Sequence, residues 1–206
     1  MKLMVIWGSS RAGRKGGVVV DWFKKHLAED GRFELDFIDL RELNLPFYDE
    51  PVSPFSMASA GMDYTNPQGK AWANRVARTE GVIIITPEYN HGPTGVLKNT
   101  LDWVGPEWKD KPVAFISYGG ASGGTRAVEQ LRTITIELGL AQVANPIVFS
   151  SFSRAFDEQG EPVRGGTNES LTRMFDEVIR LHTLLHRRPD PAAFPDPPTP
   201  IQQPQP

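Results

Sequence analysis

Apolar residues occur along the chain in two kinds of pattern. Five short runs are apolar throughout or alternate with polar residues, which is typical of strands. These runs are residues 3–7, 33–38, 82–85, 113–117 and 147–149. Between or after them, apolar residues recur every three or four positions, which indicates amphipathic helices. The helical segments cover residues 19–27, 72–76, 96–104, 128–138 and 171–185.

The alternation of the two patterns predicts the architecture. Short apolar strands separated by amphipathic helices indicate a parallel sheet that is covered by helices on both faces. Asn66-Pro67 marks the start of the second helix, and Pro106 is expected to end the third. We therefore expect an α/β fold, a flavodoxin-like three-layer sandwich whose five-stranded parallel sheet has the order 2-1-3-4-5.

Two segments fall outside this alternation. Residues 44–66 form a long connection that carries Phe47, Tyr48, Phe55 and Tyr64, and we expect it to be a lid or a partner contact. Residues 188–206 are rich in proline and have little apolar surface to bury, so we expect a disordered or extended tail. The predicted organisation is thus one domain over residues 1–187, followed by the tail.

Composition narrows the classes of function. A chain of 206 residues can bury a substantial core without metals or disulfides, and it contains no cysteine, which excludes thiolate nucleophiles and Cys-ligated metals. The formal net charge of −3 gives no general reason to expect nucleic acid or an anionic membrane as a partner. No apolar run is long enough for a signal peptide or a membrane span. A cytoplasmic protein is the expectation.

Three loops follow strands that are adjacent in the predicted order, and ligands of doubly wound sheets bind at that edge. The first, "GSSRAGRKGG" at residues 8–17, combines glycines, hydroxyl donors and positive charge at a helix N-terminus. Ser9, Arg11, Arg14 and Gly16 are its candidate ligand residues, and this chemistry suits a phosphate monoester. The loop has neither the lysine-hydroxyl pair of a P-loop nor the glycine spacing of a dinucleotide fingerprint. An ordinary strand-to-helix connection with solvated arginines is the alternative.

The second loop, "TPEYNHGPTG" at residues 86–95, has two prolines that restrict the backbone. It can present Tyr89 as a flat surface, the amides of Asn90 and His91 as donors, and Glu88 as an acceptor, beside Pro87. Together these groups suit a planar heteroaromatic ring. The alternative is a strand exit in which Glu88 and Asn90 only cap the turn.

The third loop, "SYGGASGGTRA" at residues 117–127, carries Gly119, Gly120 and Ser122. Small residues and exposed amides form a flat wall that suits the edge of a flat ligand. Glycine-rich turns before helices are common, so the signal lies in the coincidence of three such loops at one edge of the sheet.

The segments "GSSRAGR", "TPEYNHG…GVLKNTLDW" and "YGGASGGTRAVEQLR" resemble the NAD(P)H-dependent FMN reductase family, whose members include flavin, quinone, azo-dye and chromate reductases. The similarity runs from Lys2 to about Phe149. The chain departs from many relatives in the order of Gly92, Pro93 and Thr94, and in having Gly16 and Gly17 where they have serine and asparagine early in the first helix.

The resemblance implies a site for FMN. It places the phosphate on Ser9, Arg11 and Arg14 with nearby amides, and with the departure at Gly16 more of this contact falls to Arg14 and the main chain. It places the isoalloxazine beside Pro87, Glu88, Tyr89, Asn90 and His91. The other edge of the ring then faces Gly119, Gly120 and Ser122.

The resemblance also implies an activity. We expect an FMN-dependent oxidoreductase that passes electrons from NADH or NADPH to a small acceptor, which could be a flavin, quinone, azo compound or metal oxyanion. No protein acid-base residue and no metal is required, because FMN carries the chemistry. A homodimer or homotetramer, in which the neighbouring subunit helps to wall the flavin, is typical of such proteins. A flavodoxin-like electron carrier and a non-flavin regulatory domain are the alternatives.

Overall fold

A parallel sheet of six strands lies at the centre of the computed structural model, which describes residues 1–187; the predicted tail lies outside the described residues. The strands are Lys2–Trp7 (β1), Glu34–Asp39 (β2), Gly81–Pro87 (β3), Pro112–Tyr118 (β4), Ala141–Gln142 (β5) and Ile147–Phe149 (β6). Their order is β2-β1-β3-β4-β5, and β6 also pairs with β4. The predicted order is confirmed.

The fifth position of the sheet is shared by two short strands, where the sequence predicted one. Ala141 pairs with Pro112 near the start of β4, and Ile147 pairs with Ile116 near its end. Pro146 lies between them and has no N–H to donate, so the ladder cannot continue through it. The two-residue strand β5 is too short to give an alternating or apolar signal of its own.

Seven α-helices flank the sheet in the described part of the chain. They are Gly17–Asp30 (α1), Leu40–Leu43 (α2), Pro54–Ser59 (α3), Pro67–Ala77 (α4), Gly95–Asp102 (α5), Thr125–Glu137 (α6) and Thr167–Leu185 (α7). One core packs α4, α5 and α6 on one face, and the other packs α1 and α7 on the opposite face. Across residues 1–187, no helix is both long and apolar enough to cross a membrane.

The connection at residues 44–66 contains α3, which the hydrophobic pattern does not reveal. Ser53 caps this helix by accepting a hydrogen bond from the Ser56 N–H at 3.2 Å, and Pro54 occupies its first turn. Tyr48 lies 5.0 Å from Trp103 between ring centroids, which fixes one side of the connection on α5. Phe47 is 82% exposed. The segment is therefore packed on the domain along one side and open to solvent along the other.

Helix α5 ends at Asp102, four residues before the proline that was expected to end it. Trp103 and Val104 are buried, and the Trp103 indole Nε1 donates to the carbonyl of Pro46 at 2.7 Å. Pro106 instead begins a short 3₁₀ turn, Pro106–Trp108. The apolar pattern extended beyond the helix because these residues are buried by tertiary packing, whatever their local conformation.

Candidate functional site

The three predicted loops meet at the carboxyl ends of β1, β3 and β4. The Gly8 N–H donates to the Ile85 carbonyl at 2.8 Å, and Thr94 Oγ1 donates to the Gly8 carbonyl at 2.6 Å. Thr94 Oγ1 also accepts from the Leu97 N–H, so one buried hydroxyl both caps α5 and joins the first loop to the second. Ser9 Oγ lies 3.1 Å from the Tyr89 hydroxyl.

The first loop offers a row of main-chain donors. Among the described residues, none of the five N–H groups from Ser9 to Gly13 donates to another protein group. The loop leads directly into α1, whose N-cap is Gly16 and whose first turn contains no acidic residue. Free N–H groups followed by a helix N-terminus form an anion-binding concavity. Arg11 is exposed at this loop, and its guanidinium carbon lies 5.9 Å from the centroid of the Tyr89 ring.

Arg14 is held by the protein itself. Its guanidinium forms two hydrogen bonds of 2.5 Å with the Asp39 carboxylate, donates to the Ser9 carbonyl at 2.6 Å, and lies 3.7 Å from the centroid of the Trp7 ring. Burial acts to raise the pKa of Asp39, but the bonds and charge of Arg14, with the Arg41 N–H, lower that pKa below its usual value. Through these contacts Arg14 connects Ser9, in the loop after β1, with Asp39 at the end of β2.

Gly16 lies against the hydroxyl of a buried tyrosine. A Cβ on Gly16 would come within 2.2 Å of the Tyr118 hydroxyl oxygen, so only glycine fits there without a shift. That oxygen accepts a hydrogen bond of 3.2 Å from the Trp7 indole Nε1. Burial raises the pKa of Tyr118. The start of α1 therefore packs directly against the Tyr118 side chain at the end of β4.

The second loop contains a tight reversal between Tyr89 and Gly92. The two residues exchange main-chain hydrogen bonds of 2.9 and 3.0 Å, while Asn90 and His91 between them have φ of 51° and 68°. Two successive positive φ angles are the mark of a type I′ turn, and asparagine tolerates them well. Gln130 Nε2 donates to the His91 carbonyl at 2.8 Å and fixes the turn against α6. Pro87 is buried at the end of β3.

Glu88 binds the third loop. Arg126 Nε donates to its carboxylate at 2.6 Å, the Arg126 main-chain N–H donates at 3.2 Å, and the Ser122 hydroxyl donates at 3.3 Å. Burial acts to raise the pKa of Glu88, but Arg126 and Ser122 lower it below its usual value. Glu88 therefore stays ionised and joins the second loop to the third, and its carboxylate already has these partners.

The glycine-rich third loop is folded back on β4 and β6. Gly124 has φ of 91°, and a Cβ there would lie 2.8 Å from Ser117 Cβ. The Gly119 N–H donates to the Phe149 carbonyl at 3.2 Å, and the Gly120 carbonyl accepts from the Ser151 N–H at 2.8 Å. A Cβ on Gly120, in contrast, would meet no atom of the described residues within 4 Å. Gly120 is therefore exposed at the side of the loop that bears no protein contact.

All predicted site residues come together at this edge, but three partners were missed. Asp39, Tyr118 and Arg126 position the loops by holding Arg14, the start of α1 and Glu88. Asp39 could have been found, because it ends the strand that neighbours β1 in the predicted order. No sequence pattern indicates the pairing of Glu88 with Arg126, since 38 residues separate them.

A comparison with protein families assigns the chain. The model of NADPH-dependent FMN reductases matches residues 1–154. The chain belongs to this family. The match confirms the predicted enzyme class, an oxidoreductase that uses FMN with a nicotinamide as electron donor. It covers all three loops and β1 to β6, and it ends before α7.

Individual proteins are similar to the chain over most of its length. An NAD(P)H-dependent FMN reductase from Nectria sp, ntnL, is 32% identical over 197 residues, which is 87% of this chain and 96% of the relative. A 2-hydroxy-1,4-benzoquinone reductase from Burkholderia sp is 29% identical and covers 86% of this chain and 93% of its own. The FerB oxidoreductase of Paracoccus denitrificans has a similar fold, with a TM-score of 0.67, 21% identity and coverage of 89% of this chain and 97% of its own.

Proposed function

We propose that this protein binds FMN across its three loops and uses it to carry electrons from NADH or NADPH to a small acceptor. The observation that carries the proposal is the row of free N–H groups from Ser9 to Gly13, which lies beside the type I′ turn at the same edge of the sheet. One feature suits a phosphate and the other suits the edge of a ring, and FMN has both groups.

The phosphate would be held by the first loop. The free N–H groups, the Ser9 and Ser10 hydroxyls and the Arg11 guanidinium supply donors and positive charge around the N-terminus of α1. Arg14 has Asp39 as its partner, so in this proposal it acts by holding the Ser9 carbonyl and the shape of the loop. Gly16 acts by allowing α1 to begin close to Tyr118.

The ring would lie between the second and third loops. In a type I′ turn the N–H groups of the two central residues are not used within the turn, so Asn90 and His91 can donate to a ligand. Tyr89 gives a flat surface held by Ser9, and Gly120 leaves room at the opposite edge. Pro87 keeps the turn aligned, and Glu88 with Ser122 fixes the distance between the two loops. When bound there, FMN would supply the redox chemistry between the nicotinamide and the acceptor.

The acceptor belongs to the class of flavins, quinones, azo compounds or metal oxyanions. Support comes from relatives named as FMN, quinone and azo reductases. Turnover of the purified protein with a panel of these acceptors and both nicotinamides tests this. Lack of NAD(P)H oxidation with every acceptor, despite bound FMN, would instead favour an electron carrier.

Binding of FMN itself is tested by Gly120→Val. A Cβ at Gly120 meets no described protein atom within 4 Å, so the variant should fold, while its branched side chain intrudes where the ring would lie. We expect lower flavin occupancy and lower NAD(P)H oxidation together, with an unchanged melting temperature of the apoprotein. Full flavin content and full turnover in this variant would contradict the placement of the ring.

We further propose a cytoplasmic homodimer or homotetramer in which a neighbouring subunit helps to enclose the flavin. Phe47, Phe55 and Met62 support an interface, because they are 82%, 43% and 46% exposed and lie in one segment of the chain. Light scattering after size-exclusion chromatography measures the oligomeric state. A monomer at micromolar concentration would count against this part of the proposal.

A further inference from the structure

A cavity of about 590 Å³ lies beside the candidate flavin site, at the carboxyl end of β6 and the N-terminus of α7. Its walls come from β6, from the connection between β6 and α7, and from the first two turns of α7. Three arginines line it, Arg154, Arg164 and Arg173. Its volume falls within the usual range for small-molecule sites.

The three arginines of this cavity are exposed to solvent, and they have no acidic neighbour among the described residues that line it. Within residues 1–187, six arginines form a salt bridge with a carboxylate, whereas the three of the cavity form none, as is also true of Arg11, Arg41, Arg78 and Arg187. Arg173 donates one bond, to Ser170 Oγ at 2.9 Å, which aims it along the first turns of α7. Three like charges around one cavity repel each other, and an anion would relieve this.

Helix α7 begins at the cavity, and the partial positive charge of its N-terminus adds to the positive charge of the arginines. Helix α7 has 19 residues, its N-cap is Gly166, no side chain caps it, and its first turn contains one acidic residue, Glu169, which does not line the cavity. In the described part of the chain, the N–H groups of Thr167, Asn168 and Glu169 donate to no protein group. These donors and the arginines together match the oxygen atoms of a phosphate.

The cavity also has an apolar part. Ile147, Val148, Ala155 and Val163 contribute to its lining, and Val163 is 64% exposed. A site for inorganic anions alone does not require such a surface. A nucleotide does, because its base needs an apolar wall while its phosphates need cations.

Residues 150–152 lie between the cavity and the loop proposed for the flavin ring. Ser150 lines the cavity, and its Oγ is 2.8 Å from the position of a Cβ on Gly123. The Ser151 N–H donates to the Gly120 carbonyl at 2.8 Å, and the Phe152 N–H donates to that of Gly119 at 3.0 Å. The cavity therefore lies next to the third loop. A dinucleotide with its nicotinamide at that wall can extend its other end into the cavity.

We infer that this cavity binds the phosphorylated adenosine end of NADPH, with Arg154 and Arg164 contacting the 2′-phosphate and Arg173 supporting them. The inference rests on the proposed function and adds a specificity to it, since NADH lacks the 2′-phosphate. A charge-assisted contact that forms with NADPH and not with NADH discriminates between the two nicotinamides. The cavity therefore assigns NADPH as the preferred nicotinamide.

Steady-state kinetics of the double variant Arg154→Gln/Arg164→Gln test the specificity. We expect kcat/KM for NADPH to fall by about ten- to a hundredfold, the range for lost hydrogen bonds to charged groups. The kcat/KM for NADH should change by less than about threefold, and kcat measured at saturating NADPH should be nearly unchanged. Arg180→Gln is the matched control, because Arg180 lies on α7 outside the cavity and pairs with Glu177. An equal loss for both donors would overturn the inference.

A binding experiment that needs no flavin separates this inference from the proposed function. Adenosine 2′,5′-bisphosphate, adenosine 5′-monophosphate and inorganic phosphate are titrated calorimetrically into the full-length apoprotein and the double variant. The bisphosphate should bind more tightly than the other two, and the variant should lose about tenfold or more of its affinity. Equal binding of all three ligands, or no loss in the variant, contradicts the cavity inference even if FMN binds. Failure to bind FMN contradicts only the proposed function.

Discussion

Arg11 and Arg14 lie three positions apart in one loop and have different electrostatic surroundings. Arg14 is nearly enclosed, with Asp39 on one side and Trp7 on the other. Arg11 is exposed, and its guanidinium carbon lies 5.9 Å from the centroid of the Tyr89 ring. Removing one partner of a buried guanidinium–carboxylate pair destabilises the fold, whereas an exposed guanidinium near a helix N-terminus is available to an anionic ligand. The two arginines should therefore respond differently to substitution.

Replacing Arg11 by alanine should weaken FMN more than riboflavin. The charge-assisted bond exists only with the phosphate, so we expect a loss of about 1.5–3 kcal/mol for FMN and little for riboflavin. Calorimetric titration with the two flavins measures the difference. Arg78→Ala is the control, because Arg78 is an exposed arginine next to the amino end of β3, at the opposite edge of the sheet. Equal losses for both flavins would remove Arg11 from the phosphate site.

Replacing Asp39 by asparagine should destabilise the fold in a pH-dependent way. Asparagine can still accept from the Arg41 N–H and cap α2, so the substitution isolates the charge. Removing one partner of a buried pair costs about 3 kcal/mol or more.

The pH dependence follows from the lowered pKa of Asp39. The wild-type carboxylate contributes its full stability above the unfolded-state pKa of about 4 and loses it as the pH falls through the lower folded-state pKa. Urea unfolding from pH 3 to pH 7 should therefore show a gap between wild type and variant that is constant above about pH 5 and narrows below. A gap independent of pH would show that the pair does not act through charge.

At the scale of elements, the site depends on where helices begin. Helix α1 starts at Gly17 because Gly16 can approach the Tyr118 hydroxyl at the end of β4, which no residue with a Cβ can do without displacement. Helix α5 starts next to Thr94, whose hydroxyl also bonds the first loop. The position of each helix N-terminus is therefore set by a contact with another loop.

Gly16→Ala should disturb this arrangement and Gly17→Ala should not. The added Cβ at Gly16 lies 2.2 Å from the hydroxyl oxygen of Tyr118, a side chain that is only 5% exposed and has little freedom to move. We expect a loss of about 1–3 kcal/mol in stability, as for other overpacked sites, together with weaker FMN binding.

A Cβ at Gly17 meets no described atom within 4 Å, so that variant should be neutral or slightly stabilised, as alanine favours the helix. Thermal unfolding and flavin titration of both variants make the comparison. Similar behaviour of the two would show that the contact with Tyr118 does not set the helix start.

At the scale of the whole molecule, the loops form one site and not two separate ones. Ser9 with Tyr89 joins the first loop to the second, and Glu88 with Ser122 and Arg126 joins the second to the third. We expect a single site bounded in this way to admit one redox partner at a time to the face of a bound ring. Donor and acceptor would then use it in turn.

Initial-rate kinetics should accordingly be ping-pong, with a broad range of small acceptors. Double-reciprocal plots of rate against NADPH at several fixed quinone concentrations should give parallel lines. At high concentration each substrate should inhibit competitively against the other, because both use the same face. Intersecting lines would indicate that donor and acceptor are bound together, and the single-site description would then be wrong.

The sequence by itself determined the order of the sheet, the helices that carry an apolar stripe and the edge at which the three candidate loops meet. These features follow from local rules, because strand and helix periodicities differ and because parallel strands present their carboxyl ends together. The Gly, Ser, Pro and Arg residues of the three loops could therefore be selected before any contact was known. Helices α2 and α3 and the two-residue strand β5 were missed because they are too short to show a period.

Only the tertiary structure decided what each polar side chain in those loops contacts. Arg14 and Arg11 look alike in the sequence, and the distinction between them comes from Asp39 at the end of another strand. In the sequence Glu88 is as good a ligand candidate as its neighbours in the loop. In the structure its carboxylate already accepts hydrogen bonds from Arg126 and Ser122. The arginine-lined cavity is assembled from residues that share no motif. The physical reason is that periodicity reports which face of an element is buried, whereas pairing of charges and hydrogen bonds depends on distances that only the folded chain sets.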